Sequence, residues 1–260
     1  MLLTYPGGKM KHIDKFMKHL PPTKFVVSPF LGGGSFEFFL AGKGYTVYAS
    51  DHNCHLVNFY NCLKKDPSKL SSYVSQLFPM SRSKFQKILD ILRQMETSSH
   101  KIDKPNYRLA SLFFALNKTS FNGIGRNISH EKMDRFNRHK DRLLEKIKNV
   151  PFPPTLHIVY TDYKSLLKKF PQDFAFVDPP YLVNVTHYGL KGGSETFNHS
   201  ELADILHRRK SQWMLTYNDV PQVRSLYRSN HIYKLDPTIG YANVEGTQKS
   251  GYKQILITNF

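Results

Sequence analysis

Short apolar runs alternate with helically spaced segments toward both ends of this chain, whereas its middle third carries helical spacing alone. Phe25–Ser28, Tyr45–Ser50, Leu156–Tyr160, Phe174–Val177, Trp213–Thr216, His231–Leu235 and Gln254–Thr258 each read as a strand bounded by turn-forming residues. The segments between them read as helices. One is a basic amphipathic stretch ending near Leu20, one runs through Leu40, and others cover Ser165–Phe170 and Val220–Tyr227. Asn198-His199-Ser200-Glu201 has the capping-box pattern and opens a helix to Arg209. From residue 55 to 150 the apolar positions keep helical periodicity, around Leu56–Tyr60, Phe85–Leu92, Tyr107–Leu116 and Leu143–Ile147. Pro151-Phe152-Pro153-Pro154 then reads as a stiff return linker. The pattern predicts an α/β fold of seven strands with one mainly helical insertion. The boundaries are 1–55 plus 150–260 for the α/β part and 56–149 for the helical part.

Three of the strands end on an acid: Asp51, Asp162 and Asp178. Open α/β sheets bind ligands beyond the carboxyl ends of their strands, so these positions are candidates for a site. Before Asp51 comes Pro29-Phe30-Leu31-Gly32-Gly33-Gly34-Ser35, a glycine-rich turn between the first strand and a helix. Strand, glycine turn, helix, strand and acid form the βαβ unit that binds an adenosine-containing ligand. Glu37 takes the place of the third small residue of a dinucleotide fingerprint and would repel a pyrophosphate, so a phosphate-free nucleoside such as S-adenosylmethionine fits better. At the N-terminus, Thr4-Tyr5-Pro6-Gly7-Gly8-Lys9 is a turn that allows close approach to a ligand, with Lys9 available for its carboxylate. It is no phosphate loop, since Met10 stands where Ser or Thr is required.

The apolar run Phe174–Val177 must stop at Asp178-Pro179-Pro180-Tyr181, because proline donates no ladder hydrogen bond. The two prolines fix the backbone, so the Pro179 carbonyl becomes a rigid acceptor beside the Asp178 carboxylate, with the Tyr181 ring following. Two acceptors and an aromatic face suit a planar group bearing an NH2. The lone pair of an adenine or cytosine amine is delocalised into its ring. Accepting both N–H protons favours a tetrahedral nitrogen with a localised lone pair, ready for in-line attack on a sulfonium methyl without a metal. The amine is out of reach inside a duplex, so the base must be flipped out and stacked, with Tyr181 as the platform.

Charge names the partner. The net charge is +17, and residues 81–150 carry sixteen Lys/Arg against seven Asp/Glu, so +9 of it lies in 70 residues. That excess predicts a polyanionic partner, and the loop within it points to DNA. Phe121-Asn122-Gly123-Ile124-Gly125-Arg126-Asn127 offers an apolar wedge, amides and an arginine, the residue types that unstack a base step and read base edges. The basic run after it includes Arg135 and Arg138, with Phe136-Asn137 embedded; a solvated helical face explains such a run equally well. Cys54 and Cys62 make no zinc pattern and read as reduced thiols of a cytoplasmic protein. No stretch has the length of a membrane span, and Met1–Lys11 lacks the apolar core of a signal peptide. The segment from Leu182 to Thr196, with Gly189, Gly192 and Gly193, reads as a surface loop or as a lid over the flipped base.

Nearly the whole chain resembles the Dam-like adenine-specific DNA methyltransferases of bacteria, phages and some large viruses, in motif order as well as in motifs. The resemblance implies a Rossmann-like class I methyltransferase fold, S-adenosylmethionine as cofactor, no metal, and a helical DNA-recognition domain. It implies cofactor contacts from Tyr5, Gly8, Lys9, Phe30, Gly32, Gly34, Ser35, Asp51, Asp162 and Asp178, and catalysis by Asp178, Pro179 and Tyr181. Leu116-Asn117-Lys118-Thr119-Ser120 followed by the Phe121–Arg126 loop is similar to the family's DNA-reading segment. Phe121 and Asn122 would fill the gap left by flipping and Arg126 would contact a base, with Asn127, Arg135 and Arg138 as further DNA contacts. Where many members have Trp this chain has Tyr5, and Phe136-Asn137-Arg138-His139-Lys140 lacks a proline and glycine common in the family, so no recognition sequence carries over. The expected assembly is a monomer or weak dimer in the cytoplasm, associated with the nucleoid through DNA; a cognate restriction nuclease encoded elsewhere is a candidate partner. Cytosine N4 methylation, RNA or protein-amide methylation, and a catalytically vestigial DNA-binding module are the alternatives. A dinucleotide oxidoreductase is disfavoured by Glu37 and the basic lobe.

Overall fold

The computed structural model describes residues 2–5, 8–97, 102, 104–123, 125–182, 197–235 and 253–260. Its centre is one seven-stranded sheet of β1 (Phe25–Ser28), β2 (Thr46–Asp51), β3 (Leu156–Tyr160), β4 (Phe174–Val177), β5 (Trp213–Asn218), β6 (His231–Lys234) and β7 (Gln254–Thr258). The order across the sheet is β3-β2-β1-β4-β5-β7-β6. β1 to β5 run parallel, and β7 enters antiparallel between β5 and β6. All seven strands stand where the apolar runs predict them, within two residues at each end.

Both faces of the sheet are covered, which is why β4, β5 and β7 are buried at every position. Side chains alternate between faces. Phe174 and Phe176 of β4, Met214 of β5 and Leu256 of β7 join one core, whereas Ala175, Val177, Trp213, Leu215, Tyr217, Ile255 and Ile257 join another. The second core is closed by α9 (Tyr163–Lys169), α10 (His199–Arg208) and α11 (Pro221–Leu226). Asp162 and Asn198 cap the first two of these, accepting from the backbone N–H of Ser165 and Glu201. The first core is closed by α1 (Ile13–Lys18) and α2 (Ser35–Gly42), and continues without a break into the inserted helices.

Those helices are α3 (Cys54–Lys65), α4 (Pro67–Ser75), α5 (Arg82–Thr97), α6 (Tyr107–Thr119), α7 (His130–Arg138) and α8 (Lys140–Lys148). α3 touches β2 and β3 as well as α6, so it joins lobe to sheet. α6 is the buried spine of the lobe, in contact with α3, α4, α5 and α7. Among the described residues no helix is long and apolar enough to cross a membrane.

Candidate active site

Because β1 to β5 are parallel, their carboxyl ends open on one edge of the sheet. The turn after β1 needs glycine there: Gly32 and Gly34 have φ of +48° and +68°. A Cβ at Gly33 would lie 2.9 Å from Cβ of Tyr5, and one at Gly32 would lie 3.1 Å from the Tyr5 ring. Tyr5 therefore rests directly on the turn. Asp51 locks the turn to β2, its carboxylate accepting from the N–H of Gly32 and of Asn53, each at 2.9 Å. Burial raises the Asp51 pKa despite those two donors. Tyr60 reaches up from α3 and donates to the Gly33 carbonyl at 2.9 Å. Phe30 stacks on Tyr163 with ring centres 5.3 Å apart, and Phe197 meets both rings. Asp162 accepts from the Ser165 hydroxyl at 2.6 Å. Burial pushes its pKa up, but the hydrogen bonds from Ser165 outweigh this and hold it below the ordinary value. Gly8 is exposed, with space beside its Cα; Pro6 and Gly7 lie outside the described residues.

Asp178 lies one residue beyond β4, and its Oδ1 is held from two sides. Lys9 Nζ is 2.9 Å from it, and Thr216 Oγ1, at the corresponding end of β5, donates to the same oxygen. Lys9 also donates to the Tyr181 hydroxyl at 2.9 Å, while its backbone N–H bonds the Ser35 hydroxyl at 3.1 Å. Burial pulls the Lys9 pKa down, yet the Asp178 carboxylate and the Tyr181 hydroxyl overcome it, so the pKa is raised and the ammonium persists. Lys9, read as a partner of a ligand carboxylate, is thus committed to the Asp178-Tyr181 pair in this state. Tyr181 is 8% exposed, with the Lys9 ammonium at its hydroxyl edge and Tyr217 beside it, so its ring is not the open platform expected. Glu37 is also not at the mouth of the turn. It is 4% exposed, accepts from Ser28 Oγ at 2.7 Å, and is driven by burial to a pKa of about 7. A half-protonated, buried carboxyl is no strong repellent for a phosphate, so that argument against a dinucleotide loses its force.

The predicted DNA loop leaves α6 as a closed finger. Ser120 and Ile128 form an antiparallel bridge, and Phe121 N–H donates to the Asn127 carbonyl at 2.8 Å. Beside that closure Phe121 is half exposed, and Asn122 takes a left-handed φ of +56°. Arg126 and Asn127 follow on the same finger. Arg135 and Arg138 are exposed on α7, whereas the Phe136-Asn137 pair between them turns inward. Phe136 stacks on Phe78 at 4.4 Å, and Asn137 bonds both backbone groups of Met80. The segment from 183 to 196, read as a surface loop or as a lid, lies outside the described residues.

A sequence model of the D12 class of N6 adenine-specific DNA methyltransferases matches residues 5–239. The chain belongs to that family. This D12 methyltransferase is similar to the DNA adenine methylase of Vibrio cholerae serotype O1, 26% identical over 246 residues that cover 87% of this chain and 84% of the relative. The DNA adenine methylase of Salmonella typhimurium is 26% identical over 266 residues, covering 95% and 91%. The DNA N-6-adenine-methyltransferase of Escherichia phage P1 is 24% identical over 256 residues, covering 94% of this chain and 33% of the relative. The methyltransferase is accordingly an enzyme of adenine-specific DNA methylation, and cytosine, RNA and vestigial readings are not favoured.

Sequence reasoning passed over several residues of the methyltransferase's site. Thr216 is invisible until β5 is known to neighbour β4, after which the pairing of Val177 with Leu215 places Thr216 beside Asp178. Ser28 ends β1, as the apolar run predicts, and in addition donates its hydroxyl to Glu37. His199, chosen only as part of a helix cap, has its Nδ1 on the Tyr217 hydroxyl, behind Tyr181.

Proposed function

We propose that this chain moves the methyl group of S-adenosylmethionine onto N6 of an adenine flipped out of double-stranded DNA. In this reading Asp178 and the Pro179 carbonyl accept the two amine protons. The observation that carries it is the anchoring of Asp178. Lys9 and Thr216 both converge on Oδ1, which fixes the carboxylate and leaves Oδ2, among the described residues, for the amine. A preorganised acceptor of this kind stabilises charge developing on nitrogen without reorganising at the moment of reaction.

The residues around it fit the cofactor. Asp51, at the edge of the glycine turn, retains acceptor positions beyond its N–H partners for ribose hydroxyls, and Phe30, Tyr163 and Phe197 form an aromatic wall suited to an adenine. When bound, S-adenosylmethionine supplies an electrophilic sulfonium methyl. Tyr5, Gly8, Phe30, Gly32, Gly34, Ser35, Asp51 and Asp162 would hold it; Lys9 would orient Asp178 and Tyr181 toward it. Residues 56–149 serve as the DNA-recognition lobe on the catalytic part formed by 1–55 and 150–260. Phe121 and Asn122 occupy the gap left by the flipped base, and Arg126, Asn127, Arg135 and Arg138 contact DNA. Tyr181 offers its ring to the base while Lys9 holds its hydroxyl.

The test is Asp178→Asn, which preserves shape and the acceptor for Thr216 but removes the charge and offers one proton-accepting oxygen. Labelled methyl transfer to DNA should fall about 10²–10³-fold, with S-adenosylmethionine still binding, and base-resolution mapping should place the wild-type methyl on adenine N6. Near-native turnover in the folded variant would remove Asp178 from the chemistry.

A further inference from the structure

Asn117, 1% exposed at the last turn of α6, commits its whole amide group to two other parts of the chain. Its Oδ1 accepts from the Thr4 N–H at 2.9 Å, and its Nδ2 donates to the Thr4 carbonyl at 2.7 Å and to the Gly123 carbonyl at 2.8 Å. Gly123 itself packs against Thr4. Its φ is +74°, and a Cβ there would come 2.2 Å from the Thr4 carbonyl oxygen. Thr4 is bonded to Tyr5, whose ring lies on Gly32 and Gly33, and the same segment carries Lys9 to Asp178. Contact is therefore continuous from the finger that bears Phe121 to the glycine turn. At 2.7–2.9 Å these bonds tolerate little displacement before they weaken, so finger and N-terminal segment must move together or break the link.

We propose that Asn117 is a positioning residue that couples the two sites: seating DNA on the 121–127 finger orders Thr4 and Tyr5 over the glycine turn, and so tightens cofactor binding. This rests on the proposed roles of the finger and of Tyr5. Coupling of binding free energies is reciprocal, so cofactor binding must tighten DNA binding by the same factor. Neither Asn117 nor Gly123 touches the reacting groups, so both act through Thr4.

The experiment measures the dissociation constant of S-adenosylmethionine, with and without a duplex that contains the mapped target adenine, for the wild type, Asn117→Ala and Gly123→Ala. In the wild type the duplex should tighten binding about fivefold or more. In each variant the ratio of the two dissociation constants should shrink to within about twofold of one, whatever the affinity without DNA. Gly123→Ala keeps the Asn117 side chain but drives a Cβ against the Thr4 carbonyl and, at 3.0 Å, against Asn117 Nδ2, so agreement between the variants assigns the effect to the junction of the three residues. Hydrogen exchange on the wild type needs no variant: duplex alone should slow exchange at the Thr4 amide, and cofactor alone should slow it across 120–128. A wild type whose cofactor affinity ignores bound duplex, variants that keep the full effect while only melting earlier, or an unchanged Thr4 amide would each overturn the coupling. Failure of the duplex to bind the wild type at all would instead overturn the reading of the finger.

Discussion

Glu37 carries a testable pH dependence at the scale of one residue. Burial is the largest cause of its raised pKa, about 7 in the fold against 4.5 for the ordinary group, and the Ser28 hydrogen bond only moderates it. A raised carboxyl pKa means that the folded state holds the proton where the unfolded state has lost it. Its contribution is therefore fully present below about pH 4.5 and is lost as pH rises through about 7. The loss is on the order of 3 kcal/mol. Glu37→Gln has no proton to lose and can still accept from Ser28, so its stability relative to wild type should grow by that amount between pH 4.5 and 8. Urea denaturation of both proteins at the two pH values measures it, and an equal difference at both would show that Glu37 is not protonated in the fold. Single residues also show the reach of the sequence. Asp178, Asp51 and Asp162 could be located because prolines, glycines and strand ends mark them locally. Thr216 and Asn117 could not, since their partners are 38 and 113 positions away.

At the scale of elements, periodicity found the strongly apolar segments and weakened where a helix buries few side chains. α4 buries Leu70, Ser71 and Val74, too sparse a stripe to stand out, although Asp66 and Pro67 open it with a cap and a proline at its first turn. α7 buries only Phe136, so its polar residues masked the helix and left a basic run. The finger between α6 and α7 is held by its backbone and by the buried Asn117 amide rather than by its exposed side chains, which gives their substitutions a distinctive signature. Removing a side chain at its tip should leave the bridge between Ser120 and Ile128 intact. Arg126→Ala should consequently cost discrimination at one base position, by about 1–3 kcal/mol, with melting temperature unchanged. Methylation rates on duplexes that differ at single flanking positions test this; uniform weakening over all of them would make Arg126 a phosphate contact.

Over the whole molecule, a net charge of +17 sits on a chain whose basic excess is concentrated in the lobe. Binding to duplex should release counterions, giving a linear fall of log affinity with log salt. Arg135→Ala and Arg138→Ala, both on the exposed side of α7, should each reduce that slope by about 1. Affinity titrations at three salt concentrations read the slope, and an unchanged value would take α7 off the DNA. The strand order was beyond periodicity, which finds strands but not neighbours. One feature of that order bears on biosynthesis. β7 comes after both of its partners in the chain, so a nascent polypeptide made as far as β6 has β5, destined for burial on both faces, with one edge unpaired. Until Gln254–Thr258 emerges and slides between them, that edge invites pairing with other chains. Insertion of β7 between β5 and β6 is therefore the step at which this fold becomes safe from aggregation, and holdase chaperones should act in the interval before it.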